Sequence, residues 1–217
     1  MLEMDLGGLS SLESIGCCSE WYYAIGGTLG DLYEAQELFE SGRGFEENRL
    51  CFAHYPDGSV YEPVKCGKGV AIGCPVFDSG AIFFLSIDFN SGKIGIHRFD
   101  CVTHAVSLAV EIPLSEVKDC YNLMLHVSPV TLSRQPNDGT FELIWPERKT
   151  YCIGFRESFF HRVGDLMYFS RWFEDPDYRI ETVVRSVSTG EIVECLSGDV
   201  QVMPNGDLWH LKSALKT

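Results

Sequence analysis

The run Glu174-Asp175-Pro176-Asp177, two residues after Trp172, is the stretch best suited to chemistry. It sets three carboxylates beside a flat indole, a pairing that binds a cation or an amine. The plainer account is a solvated acidic loop. Asp88, with Asn90 nearby, and Asp138 are further carboxylates in turn-like stretches, and with Asp175 they supply the residue type a glycosidase needs. Hydrolysis needs two carboxylates at a set separation, and nothing in the spacing specifies a pair. Histidines 54, 97, 104, 126, 161 and 210 are dispersed. No Cys/His run has zinc spacing, so neither a metal nor another cofactor is expected. Gly67-Lys68-Gly69 resembles a phosphate loop, but it precedes an apolar strand-like run and does not open a helix. Asp31, Asp165 and Asp207 each follow a glycine, where the side chain can accept backbone N–H groups in a turn.

Strands must position these residues. The 217 residues contain 21 glycines and 12% aromatics, which suits short strands and tight turns. Residues 1–20 read as a flexible or edge-pairing lead-in. Leu32–Phe39 is ambiguous: its apolar spacing is helical, while its Gly30-Asp31 opening matches the starts of later strands. Asp57-Gly58 between two β-rich runs predicts a hairpin. Residues 70–112 read as a meander.

Two turn markers recur. Opening turns fall near 30, 80, 122, 164 and 206, and closing turns near 58, 103, 148 and 190. A shared period of about 40–50 residues with four short strands per unit resembles the blades of a β-propeller. The segments Ile94–Val106 and Ile180–Ile192 align end to end, with Thr103 on Thr189. The resemblance is to the architecture and covers about residues 21–211. No Trp-Asp dipeptide, kelch-type double glycine or aspartate box is present.

The expected fold is therefore all-β and propeller-like, with four to five four-stranded antiparallel blades. The units run approximately 21–66, 67–113, 114–156, 157–197 and 198–211 within one domain, 21–217. The last is incomplete, or is closed by the N-terminus. A β-sandwich or barrel is the alternative. The resemblance implies a binding face on the loops at Asp88–Asn90, Gln135–Asp138 and Trp172–Asp177, so the candidate binding residues are Asp88, Asn90, Asp138, Trp172, Glu174, Asp175 and Asp177.

A net charge of −14 argues against nucleic acid and anionic membranes as partners. The nine cysteines read as reduced, buried core thiols, with Cys74, Cys101, Cys152 and Cys195 in or beside apolar strands. No leader or spanning run is apparent, so the cytoplasm is the expected compartment. Together these point to a non-catalytic module binding a protein or small molecule of unknown identity. The alternatives are a propeller-type hydrolase or lyase acting on carbohydrate, and a structural subunit assembling through edge strands.

Overall fold

The computed structural model describes residues 3–45, 48–175 and 177–212. Met1, Leu2 and residues 213–217, within the ranges read above, lie outside them, as does Pro176 of the acidic run. The chain is 50% strand and 6% helix. In order, the elements are β1 (Glu13–Ser14), β2 (Trp21–Ile25), α1 (Leu32–Glu40), β3 (Leu50–His54), β4 (Val60–Tyr61), β5 (Val70–Ile72), β6 (Val76–Asp78), β7 (Ala81–Asp88), β8 (Lys93–Asp100) and β9 (Val106–Pro113). There follow β10 (Leu123–His126), β11 (Thr131–Arg134), β12 (Thr140–Trp145), β13 (Lys149–Cys152), β14 (Glu157–Val163), β15 (Leu166–Phe173), β16 (Arg179–Ser186), β17 (Ile192–Val202) and β18 (Leu208–Lys212). They form four antiparallel sheets: β1-β2-β3-β4, β5-β7-β8-β9 with β6 also on β7, β10-β11-β12-β13, and β14-β15-β16-β17-β18. This is the arrangement of a four-bladed β-propeller. Among the described residues no helix is long and apolar enough to cross a membrane.

The chain divides into two compact units, Met1–Leu125 and His126–Thr217. In the first, one face of β2 and β3 packs on β7 and β8. Trp21, Tyr23, Ile25, Leu50 and Phe52 meet Ile82, Phe84 and Phe99. The alternation of these positions is the strand period of two. Phe52 lies 5.9 Å from Phe84 and 5.0 Å from Phe99 between ring centroids. In the second unit Phe141, Leu143 and Tyr151 pack on Met167, Phe169 and Val183. Phe141 meets Phe169 edge-on at 5.3 Å, a favoured aromatic geometry. The Tyr151 hydroxyl donates to the Val187 carbonyl at 2.6 Å, which satisfies a polar group inside this core.

The ambiguous stretch after Gly30 is a helix. The Asp31 carboxylate accepts from the backbone N–H groups of Tyr33 and Glu34 at 3.0 and 2.9 Å, an N-cap. Leu32 and Ala35 are its buried residues. At the far end Gly42, at φ +70°, lets Arg43 N–H reach the Leu38 carbonyl and close the last turn. Gly30-Asp31 therefore opens a helix where the repeat predicts a strand, and the cap decides it.

Residues 198–211, read as a fifth unit, continue the fourth sheet. β17 pairs with β16 as far as Ser197, then with β18 from Gly198 onward. Trp209 is 57% exposed and Leu211 45%, so this hairpin buries no blade face through them.

Three of the four closing turns share one geometry. Gly58, His104 and Gly190 each have positive φ, and each donates its backbone N–H to the carbonyl four residues earlier. Thr103 Oγ1 accepts from Ala105 N–H at 3.4 Å, and Thr189 Oγ1 from Glu191 N–H at 3.2 Å. At Gly190 two constraints coincide: φ is +77°, and a Cβ would lie 2.8 Å from Tyr151 Cδ1. Gly190→Ala is expected to cost about 1–3 kcal/mol of stability. Urea denaturation of the variant checks this; an unchanged midpoint would show that the turn relaxes freely.

Candidate interaction site

Three segments of the second unit converge at one end of the fourth sheet. Glu157 pairs with Arg171, and Phe173 with Arg179. That register brings Phe155-Arg156, Trp172-Phe173 and Tyr178-Arg179 to the same end. Phe155 is 90% exposed, Tyr178 69% and Trp172 42%. The Arg156 guanidinium lies 5.5 Å from the Trp172 ring centroid and 5.6 Å from that of Phe173. Arg179 and Arg171 sit over the same Phe173 ring at 4.1 and 5.6 Å. These are cation–π distances.

Behind this surface is an ion-pair network with a buried centre. Glu157 is 3% exposed and Arg185 9%. Arg185 donates through Nε to Glu157 Oε2 at 2.9 Å and through Nη2 to Oε1 at 3.2 Å. This is the bidentate fork that fits a carboxylate best. Arg171 places Nη1 3.8 Å from Glu157 and donates from Nη2 to Glu181 at 2.7 Å. Arg179 Nε is 3.7 Å from the same Glu181. Gln135 locks the base of the site: its Nε2 donates to the Glu157 carbonyl, and its Oε1 accepts from Phe159 N–H, at 2.5 and 2.9 Å. Arginines 171, 179 and 185 are thus gathered around two carboxylates. Arg171 and Arg185 are held by the network, whereas Arg156 is exposed and meets only rings.

Of the residues singled out in sequence, Trp172, Glu174, Asp175 and Asp177 share this sheet end, and all four are exposed. The loop bends back so that the Asp175 carbonyl accepts from Arg179 at 3.3 Å. Asp138 lies in the same unit, in the β11–β12 turn, where it accepts from the Thr140 hydroxyl at 2.6 Å. Asp88 and Asn90 belong to the first unit. Asp88 accepts from the Ser91 hydroxyl at 2.6 Å and from Asn90 N–H at 2.9 Å, and the Ser91 bond foremost holds its carboxyl below the usual range. Asn90 donates to the Lys68 carbonyl at 2.9 Å. These two residues serve their own turn.

Phe155, Arg156, Tyr178, Arg179, Glu157 and Arg185 complete the site and were not singled out in sequence. One signal was available. Arg179, Glu181 and Arg185 fall on one alternation of β16, interrupted by the core residue Val183, and three charges in one strand of an inner position are unusual. The thiols also differ from their reading: Cys74, Cys152 and Cys195 are exposed, while Cys51 and Cys120 are buried. Cys195 lies on the part of β17 whose neighbours are nearly all exposed, where an apolar run marks an outer strand. Among the described residues no group of three or more His, Cys, Asp or Glu could hold a metal.

No protein-family model matches the chain. No curated protein matches it either. Among solved structures it is similar to the Pyrococcus horikoshii acylaminoacyl peptidase (orthorhombic crystal form), at 15% identity and a TM-score of 0.47. The match covers 90% of this chain and 33% of that one.

Proposed function

We propose that the chain is a protein-interaction module that engages its partner through the Phe155–Arg156, Trp172–Phe173 and Tyr178–Arg179 end of the fourth sheet. The observation that carries this reading is the exposed Arg156 guanidinium over the Trp172 and Phe173 rings, at the same sheet end as exposed Phe155 and Tyr178. Trp, Tyr and Arg dominate binding energy at interfaces, because each joins a large apolar area to a directed polar group. The ion-pair network behind the surface holds Arg171 and Arg179 over the Phe173 ring before binding, which lowers the entropy lost there on association. The cationic shelf beside Glu174, Asp175 and Asp177 favours a partner segment that carries charges of both signs. A hydrolase reading fits less well. A general acid needs a raised pKa, and Asp88 is shifted the opposite way by its turn.

The test is site-specific photocrosslinking in the source cells. A crosslinker replacing Phe155 should give a discrete adduct, and one replacing Val102, 85% exposed in the first unit, should not. Arg156→Ala and Trp172→Ala should each reduce the adduct about tenfold or more. Equal adducts at the two positions, or an adduct indifferent to both substitutions, would remove the reading.

A further inference from the structure

The first unit contains a separate cavity of about 250 Å³ that the proposed interaction site does not use. It lies on the second face of the first sheet. Trp21, Tyr23 and Phe52 point into the core, so Tyr22, Cys51 and Ala53 point to the other side. Tyr22 and Ala53 are direct cross-strand partners, and both line the cavity. The N-terminal stretch runs over this face. Arg49 ties it down by donating to the Gly7 carbonyl, and the Cys51 thiol approaches the Leu6 carbonyl at 4.0 Å. Met4 and Leu12 of that stretch line the pocket too, with Tyr55, Pro56 and Gly58 from the β3–β4 turn.

Two features of the lining select a ligand. No Lys, Arg, Asp or Glu contributes to it, so an ion would lose its hydration without gaining a counter-charge. The polar groups of the lining side chains are neutral hydroxyls on Tyr22 and Tyr55 and the His54 ring, whose Nδ1 is engaged 3.1 Å from Asp57 Oδ1. At about 250 Å³ the pocket has room for one small ring system, with its mouth open to solvent beside Tyr55 and Met4. The walls are largely aromatic and aliphatic, which favours a flat apolar body over a polar one.

We infer that this cavity is a binding site for a small, neutral aromatic molecule of about the size of indole. The N-terminal stretch supplies part of the lining, so binding also fastens that stretch to the sheet.

Indole itself is the probe. Titration of the ¹⁵N-labelled full chain should give saturable shifts at the Tyr22, Ala53 and Gly58 amides, with a Kd of about 0.1–1 mM, as expected for so few heavy atoms. Benzoate, similar in size but charged, should bind about tenfold more weakly. Ala53→Leu, which fills the cavity, should weaken indole binding about tenfold or more. Leu12→Trp fills it from the N-terminal stretch and serves if Ala53→Leu does not fold. Any of three results would overturn the inference: shifts scattered over the surface without saturation, benzoate binding as well as indole, or indole affinity unchanged in a folded cavity-filling variant.

Discussion

Glu157→Gln is expected to lower the stability of the second unit by about 3–5 kcal/mol. Glu157 is 3% exposed and holds Arg185 in a two-bond fork. Removing its charge leaves a nine-tenths buried guanidinium without a counter-ion, and breaking one side of a buried pair is far more damaging than the pair itself is stabilising. Arg171 also loses one of its two carboxylate neighbours. Its Nε is already buried without a hydrogen-bond partner, so it has little to fall back on. Converting both members, Glu157→Gln with Arg185→Met, should recover much of the loss, because no buried charge then remains unpaired at that position. Urea denaturation of the single and double variants decides the matter. A single variant within about 1 kcal/mol of the parent would mean that water reaches Arg185.

Acidification from pH 7 to pH 5 is expected to destabilise the protein through its histidines. Burial, and then the neighbouring His161, push the His126 imidazole down to about 4. Its ring meets Phe159 edge-on at 4.6 Å. Burial lowers His161 and His97 as well. His97 stacks on Phe84 at 5.0 Å and contacts the Ser86 hydroxyl at 2.8 Å. The sign follows from which state takes up protons first. Above about pH 6.5 these rings are neutral folded or unfolded, and they contribute nothing. Below that value the unfolded chain binds protons while the folded rings resist, so stability falls until the folded pKa is reached. For His126 the loss is about 2 kcal/mol by pH 5, near 1.4 kcal/mol per pH unit. The carboxylates held low by hydrogen bonds, such as Asp100 and Asp165, add their own losses only under more acidic conditions. The interval from pH 6.5 to 5 therefore reports the histidines. Denaturation midpoints at pH 7 and pH 5, for the parent and for His126→Gln, should show a smaller drop in the variant. Equal stability of the parent at the two values would contradict the assignment.

The closing turns were readable because they obey one rule at every repeat. The turns near 58, 103, 148 and 190 all join the third strand of a sheet to its fourth. Their period reflects tertiary structure. The opening turns mix different things under one local chemistry. Gly80 and Gly164 stand at equivalent places, before β7 and β15, whereas Gly30 precedes a helix and Gly206 lies in the last hairpin. Glycine makes a tight turn wherever it falls, most readily with a following Asp, so that marker overcounted the blades. The candidate site was half legible. Trp172 and the acidic residues adjoin one another in the chain. Phe155-Arg156 joins them only through the β14–β15 register, and no local window contains that pairing. The indole face was read as open to an incoming cation, but Arg156 already lies over it.

The strand order also bears on how the chain acquires its structure. Nearly every strand pairs with its neighbour in sequence; the exception is β7, which takes both β5 and β6 on one edge. Loop closure in such meanders is short-range and entropically cheap. Each sheet can therefore assemble as soon as its own residues have been synthesised, without waiting for the chain's end. The widest gap within a sheet lies between β2 and β3, and α1 occupies its middle. The Asp31 cap thus does more than start a helix: it shortens the one long closure in the order of assembly.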